Sequence, residues 1–513
     1  MANDVSQFLC HSNRYPDPTT SVEVRETHIS WIYLTDHYVY KLKKPVRFEF
    51  LDFSTPERRH EACQQELALN RRLAPDVYLE VVPVVRDGRG KLHLGGAGRP
   101  LDWTVKMVRL PAAAALDELV RARRLDERSV DQLGATLASF YTRLPPLTIR
   151  IDAYCRQFDH HIRANGEELQ NPEYGLRPEQ VTRVQGVQLR YLHVYEEQLV
   201  DRVRDGRVVD GHGDLRPEHI YLTPTPKIID CIEFSAEFRT IDVADELAFL
   251  AMECDRLGAG WVGERVFGIY QRASGDSASP RLVNFFKCYR ACVRAKVSAL
   301  RAHQLASEAA RTGLDAAREY LMLAETYAAQ LGPPVMLLIH GISGTGKSTL
   351  AAAMAHDWGA ELLQTDALRR ELFDGETRNE AYNAGKYSQE NRQRVYRAMF
   401  SRADQALRAG KSVVLDGTFL TRRLRAEAIQ LANSAAASPI VVHCQCPAPV
   451  AMERVRERAA GSPLSEIRPD AIEQQQREEE ADSPDWAACR VDTTEGIVRA
   501  QQQVESFLRR KWE

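Results

Sequence analysis

The sequence predicts an α+β domain over residues 1–331, followed by an α/β domain with a parallel sheet over residues 335–513. Three observations carry this expectation. The chain has 513 residues, whereas a single hydrophobic core stops growing near roughly 250–300 residues. Gly332-Pro333-Pro334 interrupts a long helical stretch, because glycine and proline together stop a helix. Directly after that break, Val335-Met336-Leu337-Leu338-Ile339 is an unbroken apolar run, the pattern of a strand buried on both faces.

Along the chain, the first hundred residues read as short strands around one helix. Residues 31–34 and 38–42 are β-rich runs about the polar turn Thr35-Asp36-His37. Residues 56–73 turn helical, with Glu and Arg interleaved by Ala and Leu, and residues 81–85 and 103–110 are strand-like. Helices dominate residues 116–200, a strand–loop–strand segment occupies 208–234, and helices run on to residue 330. Beyond the break, strand-like runs at 412–415 and 440–443 alternate with helical stretches, which implies an α/β sheet. Residues 473–480 are highly polar and read as a solvated helix face.

Composition narrows the function classes. Apolar residues make up 44% and charged residues 27% of the chain, an ordinary globular balance. A net charge of −3 provides no basic field and speaks against general nucleic-acid binding. No apolar run approaches the roughly 18–20 residues that span a bilayer, and residues 1–18 lack a signal-peptide core. The ten cysteines are scattered and form no disulfide framework, so a cytoplasmic location is expected. Cys444 and Cys446 form a Cys-x-Cys on an apolar run, but no second pair follows at zinc spacing.

The strongest local signal is Gly341-Ile342-Ser343-Gly344-Thr345-Gly346-Lys347-Ser348, which fits G-x-x-x-x-G-K-[ST] between an apolar strand and a helix that begins Thr349-Leu350-Ala351. The glycines let the backbone wrap a phosphate and present N–H groups to it, and the helix N-terminus adds positive partial charge. Lys347 would reach the β- and γ-phosphates of ATP, and the Ser348 hydroxyl would ligate Mg²⁺. Asp416 ends the apolar run Val413-Val414-Leu415 and suits a second metal partner, or a capping role. Asp366, about 20 residues past the loop, would accept a proton from a substrate hydroxyl, cap a helix at 367–373, or both. Arg454 and Arg458 are four apart and share a helix face. They would close over ATP, or simply be solvated. This segment resembles the small P-loop kinases of the gluconate kinase, shikimate kinase and zeta-toxin type over about residues 335–513. The resemblance implies phosphorylation of a small-molecule hydroxyl, with Arg422, Arg423 and Arg425 as further substrate-side candidates.

A second constellation lies upstream. His212-Gly213-Asp214 leads to His219, then Ile220-Tyr221-Leu222 and Lys227-Ile228-Ile229-Asp230. It resembles the catalytic loop of the aminoglycoside phosphotransferases and related kinase-like enzymes, which read H-G-D-x-x-x-x-N, a short strand, and I-D. The resemblance covers about residues 25–330 and implies a bilobal kinase-like fold. Asp214 then takes the hydroxyl proton and Asp230 holds Mg²⁺. Lys41, ending an apolar strand, pairs ATP phosphates; Glu66, ahead of Glu61, steadies that lysine; residues 103–110 touch adenine; and Asp242 acts chiefly as a brace. Arg290 and Arg294 face a substrate or solvent. Here the loop's usual Asn is His219, a nitrogen donor less suited to a hard cation. The expectation is a fusion of two ATP-dependent phosphotransferase units acting on small-molecule hydroxyls. Two alternatives stay open: an ATPase switch whose N-terminal domain binds without transfer, and a nucleotide or polynucleotide kinase. Neither acceptor nor oligomeric state is legible.

Overall fold

The computed structural model describes residues 2–48, 51–303, 308–373, 385–461, 470–483, 486 and 488–512. The chain forms two compact units, Met1–Ile149 with Asp201–Arg290, and Arg150–Val200 with Ala291–Glu513.

The first unit holds a six-stranded antiparallel sheet. In spatial order its strands are Glu23–Glu26, Ser30–Leu34, Tyr38–Lys43, Arg99–Val108, Tyr78–Arg86 and Leu92–Leu94. Lys41 stands opposite Ile32 on one side and Val105 on the other. Side chains two apart share a face of a strand, so Lys41 and Lys43 point the same way, and both are buried. Helix Pro56–Asn70 starts with Thr55, whose side chain accepts the Arg58 N–H, and with proline in its first turn. Its Cys63 and Leu67 pack against Tyr78, Val105 and Met107. Glu66 lies on that same inward face and is fully buried. Farther along, strand Val208–Asp210 pairs with Thr240–Asp242, and Ile220–Tyr221 pairs with Lys227–Ile228. The sheet is thus antiparallel, and helix Pro56–Asn70 packs on it beside the strand that carries Lys41.

In the second unit a five-stranded sheet is parallel throughout, in the order Glu361–Gln364, Val413–Asp416, Val335–His340, Ser438–Gln445 and Ala488–Asp492. The expected parallel α/β architecture is present, with outer strands Glu361–Gln364 and Ala488–Asp492 in addition to the three read from sequence. Met336 and Leu338 join one core with Leu363, Val395, Met399 and Phe419. The alternating Leu337 and Ile339 are equally buried, so both faces of the central strand are covered. Helix Lys347–Trp358 begins where the central strand's loop ends. Asp366 falls in the first turn of helix Thr365–Leu372, whose N-cap is Gln364, so it does not cap that helix.

Helices Ile151–Leu169, Pro178–Val194 and Glu308–Gln330 belong to this second unit. Helix Pro178–Val194 packs on helices Lys347–Trp358 and Ile497–Trp512. Arg183 donates to Ala409 O at 3.0 Å, and Arg190 donates to Ser412 Oγ at 2.9 Å and to Gly332 O at 3.2 Å. Gly332 itself lies inside this unit.

Helix Ile497–Trp512 also carries Glu505. Burial pushes its carboxyl up from 4.5 to about 7; His193 and Arg509 pull it down, while Asp357 and Glu196 push it further up. A carboxyl raised on folding favours the native state below its unfolded pKa and loses that contribution as pH rises to the folded value. Stability should therefore fall by about 3 kcal/mol between pH 4.5 and pH 7 on this group's account. Glu505→Gln should remove that slope and leave the variant more stable than wild type above pH 7. Denaturant unfolding at several pH values checks this; parallel pH profiles would contradict it.

Candidate functional site

The loop 341–346 joins the central strand to helix Lys347–Trp358. Gly341, Gly344 and Gly346 have φ of 136°, 85° and 79°, a backbone that L-residues with a Cβ rarely adopt. A Cβ on Gly344 would meet Ala451 O at 2.4 Å, and one on Gly341 would meet Cys444 O at 2.5 Å. Gly346 caps the helix without a side-chain bond, so the helix's first N–H groups stay available for an anion. Lys347 Nζ donates to Ile342 O at 3.2 Å, curled over its own loop. The Thr345 hydroxyl also donates to Ile342 O, at 2.8 Å.

Three other elements meet this loop. Gln475, on helix Asp470–Glu478, accepts the Ser343 N–H at 2.8 Å. Thr493 donates its hydroxyl to Thr345 O at 2.8 Å. Arg454 donates to Thr493 Oγ1 and O at 3.0 and 2.9 Å and reaches Gly344 O at 3.5 Å. Arg458 lies one turn on in helix Ala448–Gly461, and its side chain lies outside the described residues.

Asp416 ends the strand beside the central one, and its carboxylate is buried. Oδ2 accepts from Gln364 Nε2 at 2.9 Å. Oδ1 has no hydrogen-bond partner among the described residues, which suits an oxygen that waits for a cation. Burial raises its pKa, and Lys347 and Ser348 oppose the rise. Thus Lys347, Ser348 and Asp416 come together, with Thr349 in the same helical turn as Ser348. Asp366 is 58% exposed and pairs with Arg369 at 2.6 Å. Arg425 is fully buried and donates to Phe419 O and Glu480 O, both at 2.6 Å. It is therefore a brace and not a substrate-side residue.

In the first unit, Lys41 Nζ lies 2.9 Å from Glu66 Oε1 and 2.7 Å from Asp230 Oδ1. Lys43 Nζ takes the other oxygen of Glu66 at 2.7 Å and also pairs with Glu233. Desolvation disfavours both Lys41 and Glu66 as ions, but their partners outweigh it. Lys41 is raised well above its ordinary value and Glu66 is lowered. Asp230 sits in a left-handed backbone, φ 64°, steadied by its N–H donated to Tyr78 Oη at 3.2 Å. Partial burial opposes its ionisation, and Lys41 and His219 override that, holding the carboxyl well below the usual range.

His219 lies between the two aspartates. Its Nε2 is 3.5 Å from Asp230 Oδ2, and its Nδ1 is 3.0 Å from Asp214 O. Arg216 pairs with Asp214 at 2.9 Å and approaches His219 Nε2 at 3.3 Å. The loop backbone rests on Glu246, a buried carboxylate that accepts the N–H groups of His212 and Gly213 and the Tyr141 hydroxyl. Asp242 pairs with Arg202 at 2.6 Å and caps helix Val243–Arg256, the bracing role expected of it. Arg290 is tied to buried Asp245. Sequence reasoning missed Lys43, Glu233, Glu246, Gln364, Gln475 and Thr493. Charged Asp245 and Glu246 inside an otherwise apolar helix were a readable signal; the glutamines gave none.

Residues 336–511 match the AAA domain family. Over 454 residues the chain is 33% identical to the uncharacterized protein Rv2004c of Mycobacterium tuberculosis, covering 86% of this chain and 87% of the relative, and it matches Mb2027c of Mycobacterium bovis to the same extent. Solved structures similar to part of the chain include a gluconokinase from Sinorhizobium meliloti, with 19% identity and TM-score 0.27, covering 35% of this chain and 93% of that one. A sugar kinase from Janibacter is 21% identical with TM-score 0.26, covering 34% and 94%. The chain belongs to the family of these mycobacterial proteins and carries, over residues 336–511, a P-loop domain of the AAA domain family.

Proposed function

We propose that the protein is a bifunctional ATP-dependent phosphotransferase acting on small-molecule hydroxyls, with one ATP site among residues 1–331 and another among residues 335–513. In the second, Lys347 and the helix N-terminus bind phosphates, Ser348 and Asp416 hold Mg²⁺, Asp366 faces the acceptor, and Arg454 with Arg458 closes over ATP. The orphaned Asp416 Oδ1 supports the metal assignment. Among the described residues no helix is long and apolar enough to cross a membrane. ATP use fits the proposed cytoplasmic location.

One observation carries the first site: Asp230 meets Lys41 and His219, and His219 meets Asp214, so residues far apart in sequence converge. This convergence supports an aminoglycoside phosphotransferase-like, bilobal reading of the unit. Lys41, Lys43, Glu66, Glu233 and Asp230 carry one negative charge in excess, and Asp230 keeps 43% of its side chain exposed. An entering Mg²⁺ would meet a net anionic, accessible carboxylate, with His219 beside it. Asp214 would receive the acceptor's proton. His219 in the usual Asn position favours one second reading, in which this unit binds nucleotide without transfer.

Lys347→Ala should lower the C-terminal turnover by about 10²–10³-fold or more, as loss of a charge-stabilising donor does. Turnover at wild-type levels by that site would sink the assignment. The remaining variants are made in the Lys347→Ala full chain, which silences the second site. There Asp214→Asn should abolish transfer while ATP affinity by calorimetry stays within a few-fold. Asp230→Asn should weaken Mg²⁺-dependent ATP binding. His219→Asn, which restores an oxygen ligand, should preserve or raise transfer. An acceptor screen by mass spectrometry reads the product. A Lys347→Ala chain that binds no ATP with or without Mg²⁺ would show that the first unit has no nucleotide site.

A further inference from the structure

Among the described residues, one group of three His, Cys, Asp or Glu side chains brings its ligating atoms within 4.8 Å of one another: His340, His443 and Glu479. His340 ends the central strand, one residue before the phosphate loop, and is paired with His443 in the parallel ladder. Paired positions project to the same face of a sheet, and the two imidazoles stack at 4.3 Å. Glu479 and Asp482 come from the segment after helix Asp470–Glu478. His443 Nε2 lies 3.2 Å from Glu479 Oε1, His340 Nε2 lies 3.3 Å from Asp482 Oδ1, and His443 Nδ1 lies 3.6 Å from Asp482 Oδ2.

These distances are those of imidazole–carboxylate pairs, and the same atoms are spaced so that a cation could take the place of the shared protons. His340 is wholly buried, and neither ring nitrogen makes a well-directed hydrogen bond among the described residues; the same holds for Glu479 Oε1. Buried polar atoms without a well-directed hydrogen bond are rare, and here His340 and Glu479, which both carry such atoms, stand in the same cluster. A tetrahedral zinc with bonds of about 2.0–2.1 Å sets its ligand atoms about 3.3–3.4 Å apart, and one atom each of His340, His443 and Glu479 already lie within 4.8 Å of one another. Two imidazoles and two carboxylates suit zinc or a similar borderline ion far better than Mg²⁺. Converging the two imidazole lone pairs requires one ring to turn out of the stack about its Cβ–Cγ bond, a torsion with a broad energy well. Arg425 Nε is 3.0 Å from Asp482 Oδ1, and its other nitrogens hold Phe419 O, Leu420 O, Glu480 O and Ala481 O. Arg425 thus holds Asp482 Oδ1, which orients the carboxylate and leaves Oδ2, on the His443 side, for a metal.

We propose that His340, His443, Glu479 and Asp482 form a structural zinc-class metal site that fastens the segment after helix Asp470–Glu478 to the sheet beneath the phosphate loop. The same helix supplies Gln475 to the Ser343 N–H, so the metal would also fix that contact. Neither phosphotransfer reading is needed for this inference.

The test uses the full chain, stripped with a chelator and returned to Zn²⁺, Co²⁺ or Mg²⁺. Elemental analysis after gel filtration should find about one zinc per chain. Co²⁺ should give the intense visible bands of a tetrahedral site, Zn²⁺ should raise the melting temperature, and Mg²⁺ should do neither. His443→Ala should weaken Co²⁺ binding more than the roughly 10–100-fold expected for an outer-shell change. Glu479→Gln, which keeps the packing volume, should weaken it as well and decides the matter if the histidine variant fails to fold. Cys446→Ser should bind as wild type. Wild-type protein that takes up no Co²⁺, or uptake undiminished by Glu479→Gln, would overturn the proposal.

Discussion

Glu66 is fully buried between two ammonium groups, Lys41 Nζ at 2.9 Å and Lys43 Nζ at 2.7 Å, and much of the first unit follows from keeping those charges matched. A buried ion stripped of its partner is strongly destabilising, on the order of 3–5 kcal/mol. The lysines are delivered by the two-residue period of one strand, and the glutamate by the apolar face of the helix packed on the sheet. Asp230 and Glu233 then close the cluster from a segment some 190 residues away in sequence. The left-handed backbone of Asp230 is tolerable there because Tyr78, Lys41 and His219 fix it from three directions.

The second unit meets a different constraint, close approach of main chains. The phosphate loop passes so near Ala451 O and Cys444 O that only glycine fits at Gly344 and Gly341. Its remaining polar groups are held by Gln475, Thr493 and Arg454, which come from three later elements. The loop is therefore shaped before any anion arrives, and a ligand meets N–H groups already oriented.

What could be read from sequence was local. The glycine-lysine-serine loop, the strand before it, the aspartate ending a neighbouring strand and the His-Gly-Asp loop all announce themselves within a few residues. Lys41 with Glu66 was legible because a strand lysine and a helix glutamate sit in a recognisable order. Glu246, Gln364, Gln475 and Thr493 act across long sequence separations, with side chains whose type carries no signal of their partner. The pair His340 and His443 could have been noticed as imidazoles at the ends of two apolar strands, but only the register places them side by side. Grouping the helices before Gly332 with the first hundred residues was reasonable from chain order. The docking of helix Pro178–Val194 on the P-loop helix is a tertiary fact that no local pattern encodes.

That docking bears on how the protein is made. The chain leaves the first unit after Ile149, spends Arg150–Val200 on the second, returns from Asp201 to Arg290, and only then supplies the rest. Helix Pro178–Val194, whose Val184, Leu189 and Leu192 are buried in the finished fold, meets helix Ile151–Leu169 at once but completes its packing only when helices Glu308–Gln330, Lys347–Trp358 and finally Ile497–Trp512 have emerged. At roughly 5–20 residues per second of translation, that interval is on the order of 15–60 s. During it, the helix is only partly covered on a nascent chain. The first unit can complete once Arg290 has been synthesised, whereas the second is committed only when helix Ile497–Trp512 has emerged.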